Sequence, residues 1–123
     1  MNKFIKLNLI IGTTLLASCV ASMSPLEVNN TLPTLTKSRF ITHAKAQESI
    51  EANSCKYLVK GRKYIAPIGF TTRDDLYNGA RGIDEWVILD GGNAYVLTNY
   101  NWVTVDKDGT TQLIIEFDTM KCE

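Results

Sequence analysis

Histidine is almost missing from this chain: His43 is the only one. No serine or cysteine stands at a spacing that matches it to a Ser-His or Cys-His pair, so nucleophilic catalysis of that kind is not expected and His43 reads as a solvated bystander. Cysteine is scarce as well, with Cys19, Cys55 and Cys122 widely separated. Together with one distant histidine they lack any metal-ligand spacing, so no metal and no cofactor is expected. Neither sign of charge is in excess, with 13 basic and 13 acidic residues. That excludes the strongly positive surface on which nucleic-acid binding depends. The uncharged, mostly apolar stretch from Leu7 to Ala17 falls well short of the roughly 20 residues a membrane-spanning helix needs. Internal repeats and low-complexity segments are absent too.

What is present at the start is organised. Lys3 and Lys6 form a short basic head, the apolar stretch follows, and small side chains end it, which is the layout of a secretory signal. Leu16-Ala17-Ser18-Cys19 resembles the lipobox of bacterial lipoproteins. The resemblance covers residues 1–19 only. It implies cleavage before Cys19, acylation of that cysteine, and a fatty-acid anchor in the bacterial envelope. Val20 after the cysteine, by resemblance to enterobacterial sorting, favours the outer membrane, with the periplasmic face expected rather than the cell surface. Lys3 and Lys6 leave with the leader, so the mature chain carries a net charge of about −2.

An oxidising compartment gives the remaining cysteines a role. Cys55 and Cys122 are an even pair where disulfides persist, and they are expected to be bonded. On the chain-entropy account such a bond stabilises the domain by about 4 kcal/mol. Three regions follow: a signal peptide over 1–18, a lipidated N-terminus with flexible tether and possible short helix over 19–53, and a disulfide-stapled β domain over 54–123. The tether reading rests on Val20 to Thr36, which has two prolines and no consistent apolar period. Ser38 to Asn53 is richer in helix formers, with Phe40, Ile41, Ala44 and Glu48 on one face and Asn53 placed to end the turn.

Within the β domain, Cys55 to Lys60 and Lys63 to Ile68 read as a hairpin about Gly61-Arg62. Thr71 to Gly82 breaks the β pattern and suits one helical turn, with Thr72 and Asp75 as a capping box. Ile83 to Asp90 and Ala94 to Asn99 read as two strands around Gly91-Gly92-Asn93. Asn101 to Asp106 and Thr111 to Asp118 form another pair around Lys107-Asp108-Gly109, with Leu113, Ile115 and Phe117 facing the core. The fold class is mainly β: a small antiparallel meander or partly open barrel with one or two short helices and a single disulfide.

Other residues invite chemical readings that their context weakens. Asp74-Asp75 and Asp84-Glu85 offer paired carboxylates, but adjacent acids on a strand face opposite ways and those at a helix start act as caps. Asp106-Lys107-Asp108-Gly109 lacks the further ligands of a calcium loop and reads as a turn. Lys56, Lys60, Arg62 and Lys63 form a basic cluster that contrasts with the acidic later strands. Tyr100 and Trp102, flanked by Asn99 and Asn101, suit a partner-binding surface.

The expected function is therefore non-enzymatic: a lipid-anchored envelope lipoprotein that binds another protein in the periplasm. In organisation it looks like small lipoproteins that inhibit lysozymes or confer immunity to toxins, which also join a lipid anchor to a compact β domain. The inhibitors' Ser-Gly and Tyr signature is not found, and Asn78-Gly79-Ala80-Arg81 is its faint counterpart. The alternative is a structural or assembly subunit of a secretion or envelope complex.

Overall fold

The computed structural model describes residues 25–123. In chain order the elements are α1 (Pro25–Leu35), β1 (Arg39–Phe40), α2 (His43–Glu51), β2 (Cys55–Ile65), α3 (Thr72–Leu89), β3 (Ala94–Thr104) and β4 (Thr111–Cys122). The strands form one sheet in the order β1-β3-β4-β2. β4 pairs antiparallel with both β3 and β2, and β1 joins β3 in parallel. The open sheet with its single disulfide stands as expected; β1 makes it mixed, and three helices, one of them 18 residues long, stand where one or two short ones were expected.

The largest departure lies between the two halves of the sheet. Ile83 to Asp90 is not a strand but the second half of α3, whose buried stripe runs Leu76, Ala80, Ile83 and Val87. Those spacings of three and four residues are helical, and the apolar run looks continuous only because Ile88 and Leu89 are apolar while facing solvent. Gly79 and Gly82 do not break the helix. A β-carbon at Gly79 would fall 2.5 Å from Ile115 Cδ1, and one at Gly82 would fall 2.2 Å from the Tyr64 ring. The two glycines let α3 lie close on the sheet. The helix starts at a capping box of Thr71 and Asp74, one residue before the pair the sequence pointed to. It ends at Gly91, which takes φ 81° after the Asp90 cap, so Gly91-Gly92-Asn93 joins a helix to a strand instead of turning a hairpin.

β2 is likewise one strand and not a hairpin. Gly61 adopts φ 78°, yet its N–H donates to the Asp118 carboxylate at 2.8 Å, and the register shifts around it bend the strand without reversing it. Ala94 to Thr104 is also a single strand, irregular between Leu97 and Asn99. Its hairpin with β4 is the one expected about Lys107-Asp108-Gly109, closed by Asp106 Oδ1, which accepts from the N–H groups of Asp108 and Thr110. Leu113, Ile115 and Phe117 are buried as the alternation required.

The tether reading gives way over residues 25–53. Val28 and Leu32 of α1 are fully buried in the main core with α3 and the sheet. Asp84 then fastens the segment after α1, accepting from the Lys37 and Ser38 N–H groups, both at 2.9 Å, and from Ser38 Oγ at 2.6 Å. Pro25 stands at the first position of α1 and Pro33 inside it, so two residues that locally argue against a helix lie within one. The folded unit thus includes Pro25 onwards instead of starting at residue 54. α2 is the expected short helix, and Asn53 takes the expected left-handed conformation at φ 60°. Its buried residue is Ala46, with Ile41 and Ile50, and not the Phe40-Ala44-Glu48 face.

The sheet is covered unequally. α1 and α3 pack one face through Tyr95, Leu113, Ile115 and Phe117. α2 covers only the part of the other face formed by Ala94, Val96, Met120 and the two cysteines. Cys55 and Cys122 are direct partners across β2 and β4 and are disulfide-bonded.

Candidate protein-binding loop

The connection from β2 to α3, Ala66-Pro67-Ile68-Gly69-Phe70-Thr71, is short, apolar and rigidly held. Ala66 is anchored to β4: its N–H donates to the Leu113 carbonyl at 2.9 Å, and its own carbonyl accepts from Gln112 Nε2 at 3.1 Å. The Pro67 carbonyl accepts from Asn78 Nδ2 at 2.9 Å. The Gly69 N–H donates to Asp75 Oδ1 at 2.7 Å, and the Phe70 N–H to Asp74 Oδ2 at 3.2 Å. A β-carbon at Gly69 would fall 2.3 Å from Asp74 Cβ, so the close turn requires glycine there.

Asp75 is the costly part of this device. It is only 6% exposed, and burial pushes its carboxyl above the usual range, offset by the Gly69 N–H and raised further by neighbouring Asp74. A carboxylate placed in the interior to hold a loop argues that the loop's shape matters.

What the loop presents is apolar. Phe70 is completely exposed at 102%, Ile68 is 47% exposed, and Tyr77 in the next helix is 51% exposed. A residue just before a helix cap commonly folds onto an apolar side chain at the fourth helical position. Here that position is Asp75, turned inward to Gly69, so the Phe70 ring has no apolar seat in its own helix. The sequence pattern conceals this loop, because Pro67 and Ile68 continue the apolar run from Lys63 and read as a strand end. A phenylalanine at that position facing an acid was the available signal.

The residues singled out from the sequence are scattered. Cys19 lies outside the described residues. Tyr100 and Trp102 sit on β3, half-buried and packed on the helix-covered face instead of projecting freely. His43 is exposed at the start of α2. Asp74 caps α3, Asp75 holds the loop, and Asp84 fastens the segment after α1, so none is left as a convergent acid pair. Arg62 of the basic cluster stacks 3.8 Å above the Trp86 ring and grips Asp90 with two hydrogen bonds, at 2.6 and 3.1 Å. Thr119 Oγ1 adds a third bond to Asp90 at 2.7 Å, and the Arg62 bonds hold the Asp90 carboxyl below its usual range. This network ties the end of α3 to β2 and β4.

A cleft of about 480 Å3 opens between β1, α2 and the disulfide. Its Thr42 hydroxyl caps α2, its Ser54 hydroxyl donates to the Ser49 carbonyl, and no histidine lines it beside the Ser49 hydroxyl. Among the described residues no group of three His, Cys, Asp or Glu side chains stands close enough to hold a metal ion, and no helix is long and apolar enough to cross a membrane. Comparison with protein families, with curated proteins and with solved structures gives no match to this chain.

Proposed function

We propose that the chain is a lipid-anchored protein of the bacterial envelope, attached through Cys19, that binds another protein in the periplasm and catalyses no reaction. The carrying observation is Phe70: a fully exposed aromatic on a loop tied by backbone hydrogen bonds. Aromatic side chains that fill a partner's pocket dominate interface energetics, and a loop already fixed in its bound shape loses little entropy on association. Its exposure also means that removing the ring leaves no cavity, which separates binding from folding.

The test is capture of the partner from envelope extracts by the full chain and by Phe70→Ala and Phe70→Asp. A central anchor contributes about 2 kcal/mol, so Phe70→Ala should weaken capture roughly 30-fold with an unchanged melting temperature. Undiminished capture by Phe70→Asp overturns the assignment of the loop. Recovery of a fixed set of complex subunits, instead of one toxin or enzyme, favours the assembly-subunit alternative. Anchoring is checked by metabolic labelling with a clickable fatty acid, and label retained by Cys19→Ala refutes it.

A further inference from the structure

The two margins of the sheet are built differently. β2 is an outer strand carrying Lys56, Lys60, Arg62 and Lys63, it is broken by two register shifts, and it leads into Pro67. Charge, bulges and proline are the devices that keep an edge strand from pairing with another chain. β3 lacks most of them. β1 accompanies it only at Ala94 and Tyr95, and from Val96 to Thr104 no strand lies on that side among the described residues. No residue from Gly91 to Val105 is charged, and none is proline. Thr98, Asn99, Asn101, Val103 and Thr104 are exposed.

We propose that β3 pairs antiparallel with β3 of a second copy of this chain, joining the two sheets edge to edge about a twofold axis. Such an axis sets residues near the middle of the strand against their own kind. A neutral strand tolerates that arrangement, whereas the cationic margin of β2 opposes it. Asn and Thr side chains meet on the uncovered face, and Tyr100 and Trp102 meet their counterparts on the helix-covered face, both favourable cross-strand combinations. Because the contact uses the same strand on both copies it closes at two and does not propagate into a fibre.

Two differently tagged full-length copies, co-expressed and extracted in mild detergent, test this by co-purification. Wild-type copies should retain each other. Asn101→Lys in both copies should cut retention roughly tenfold or more, as should Asn101→Asp in both, because like charges then face each other across the pair. One Asn101→Lys copy with one Asn101→Asp copy should recover it, and Phe70→Asp in both should leave it unchanged. Absence of wild-type co-purification overturns the proposal, as does retention indifferent to either charge. Loss without recovery in the Lys and Asp mixture overturns it too. So does a different protein that is released from the single-charge variants while no second copy is found.

Discussion

Reducing the Cys55–Cys122 bond isolates one contribution to stability with unusual clarity. The cysteines are 67 positions apart, and both are buried in the smaller apolar cluster beside α2. On the chain-entropy account, closing a loop of that length removes about 14.6 cal/mol/K from the unfolded chain, or about 4.4 kcal/mol at 25 °C. Domains of this size change melting temperature by about 4–8 °C per kcal/mol, so loss of the bond should lower it by about 18–35 °C. Reduction leaves both sulfur atoms in place, so it removes the cross-link while disturbing the packing little. The Cys55→Ala/Cys122→Ala variant removes the cross-link and two buried sulfurs together and should melt lower still. Calorimetry of the oxidised, reduced and double-alanine proteins separates these effects. If oxidised and reduced proteins melt within about 3 °C of each other, the ladder between β2 and β4 already holds the unfolded ends together, and the entropic reasoning fails.

Two further outcomes follow from close contacts and aspartates. In Gly92→Ala the new methyl would lie 2.4 Å from the Met120 carbonyl oxygen, which also accepts from the Asn93 N–H; backbone must move, at a cost of about 1–3 kcal/mol read as a lowered urea midpoint. In acid titration Asp75 and Asp90 act in opposite directions. Asp75, with its pKa raised in the fold, weighs against stability at neutral pH, and that penalty lifts as pH falls from its raised value towards about 3.9. Asp90, with its pKa lowered, contributes stability that is present above about 3.9 and is lost as pH falls further. Urea unfolding across pH 2–7 should therefore show Asp75→Asn flattening the upper part of the profile and Asp90→Asn the lower; the reverse assignment refutes the burial argument.

Those parts of the fold were legible in which hydrophobic period, turn chemistry and cysteine parity agreed. The hairpin from β3 to β4 was legible because Leu113, Ile115 and Phe117 alternate and Asp106 to Gly109 has turn composition. The disulfide was legible from the even pair of cysteines left once Cys19 is set apart, given the oxidising compartment that the leader leads one to expect. α3 was not, because Gly79 and Gly82 argue locally against a helix, and only the neighbouring Tyr64 and Ile115 side chains show why they are there. α1 was hidden by its prolines, since its apolar residues gain their meaning from burial against α3. Partner binding at Tyr100 and Trp102 was inferred from polar neighbours, yet those aromatics pack inward on a strand whose backbone edge is the exposed part. Phe70 stands outside any hydrophobic period, and only its place before the Thr71 cap, with Asp75 at the fourth helical position, marks it.

Placing α1 within the fold changes what a lipid anchor implies for the proposed function. A coil from Cys19 to Asn53 would let the domain roam, with a root-mean-square span of roughly 30 Å and a far greater extended reach. With the folded unit including Pro25 onwards, the chain from Cys19 to α1 reaches about 20 Å even when fully extended. If Cys19 carries the proposed lipid, a domain on so short a lead would stay beside the bilayer, and a partner would have to come to the membrane to be bound. The loop with Phe70 lies at the opposite end of β2 from the disulfide, with most of the strand's length between them. Pairing through β3 leaves that loop unoccupied, because it joins β2 to α3 and contributes nothing to the β3 edge. Two copies joined at β3 would then present two identical loops from one rigid sheet, held close to one membrane, and a partner with two equivalent sites would bind them with the benefit of effective concentration.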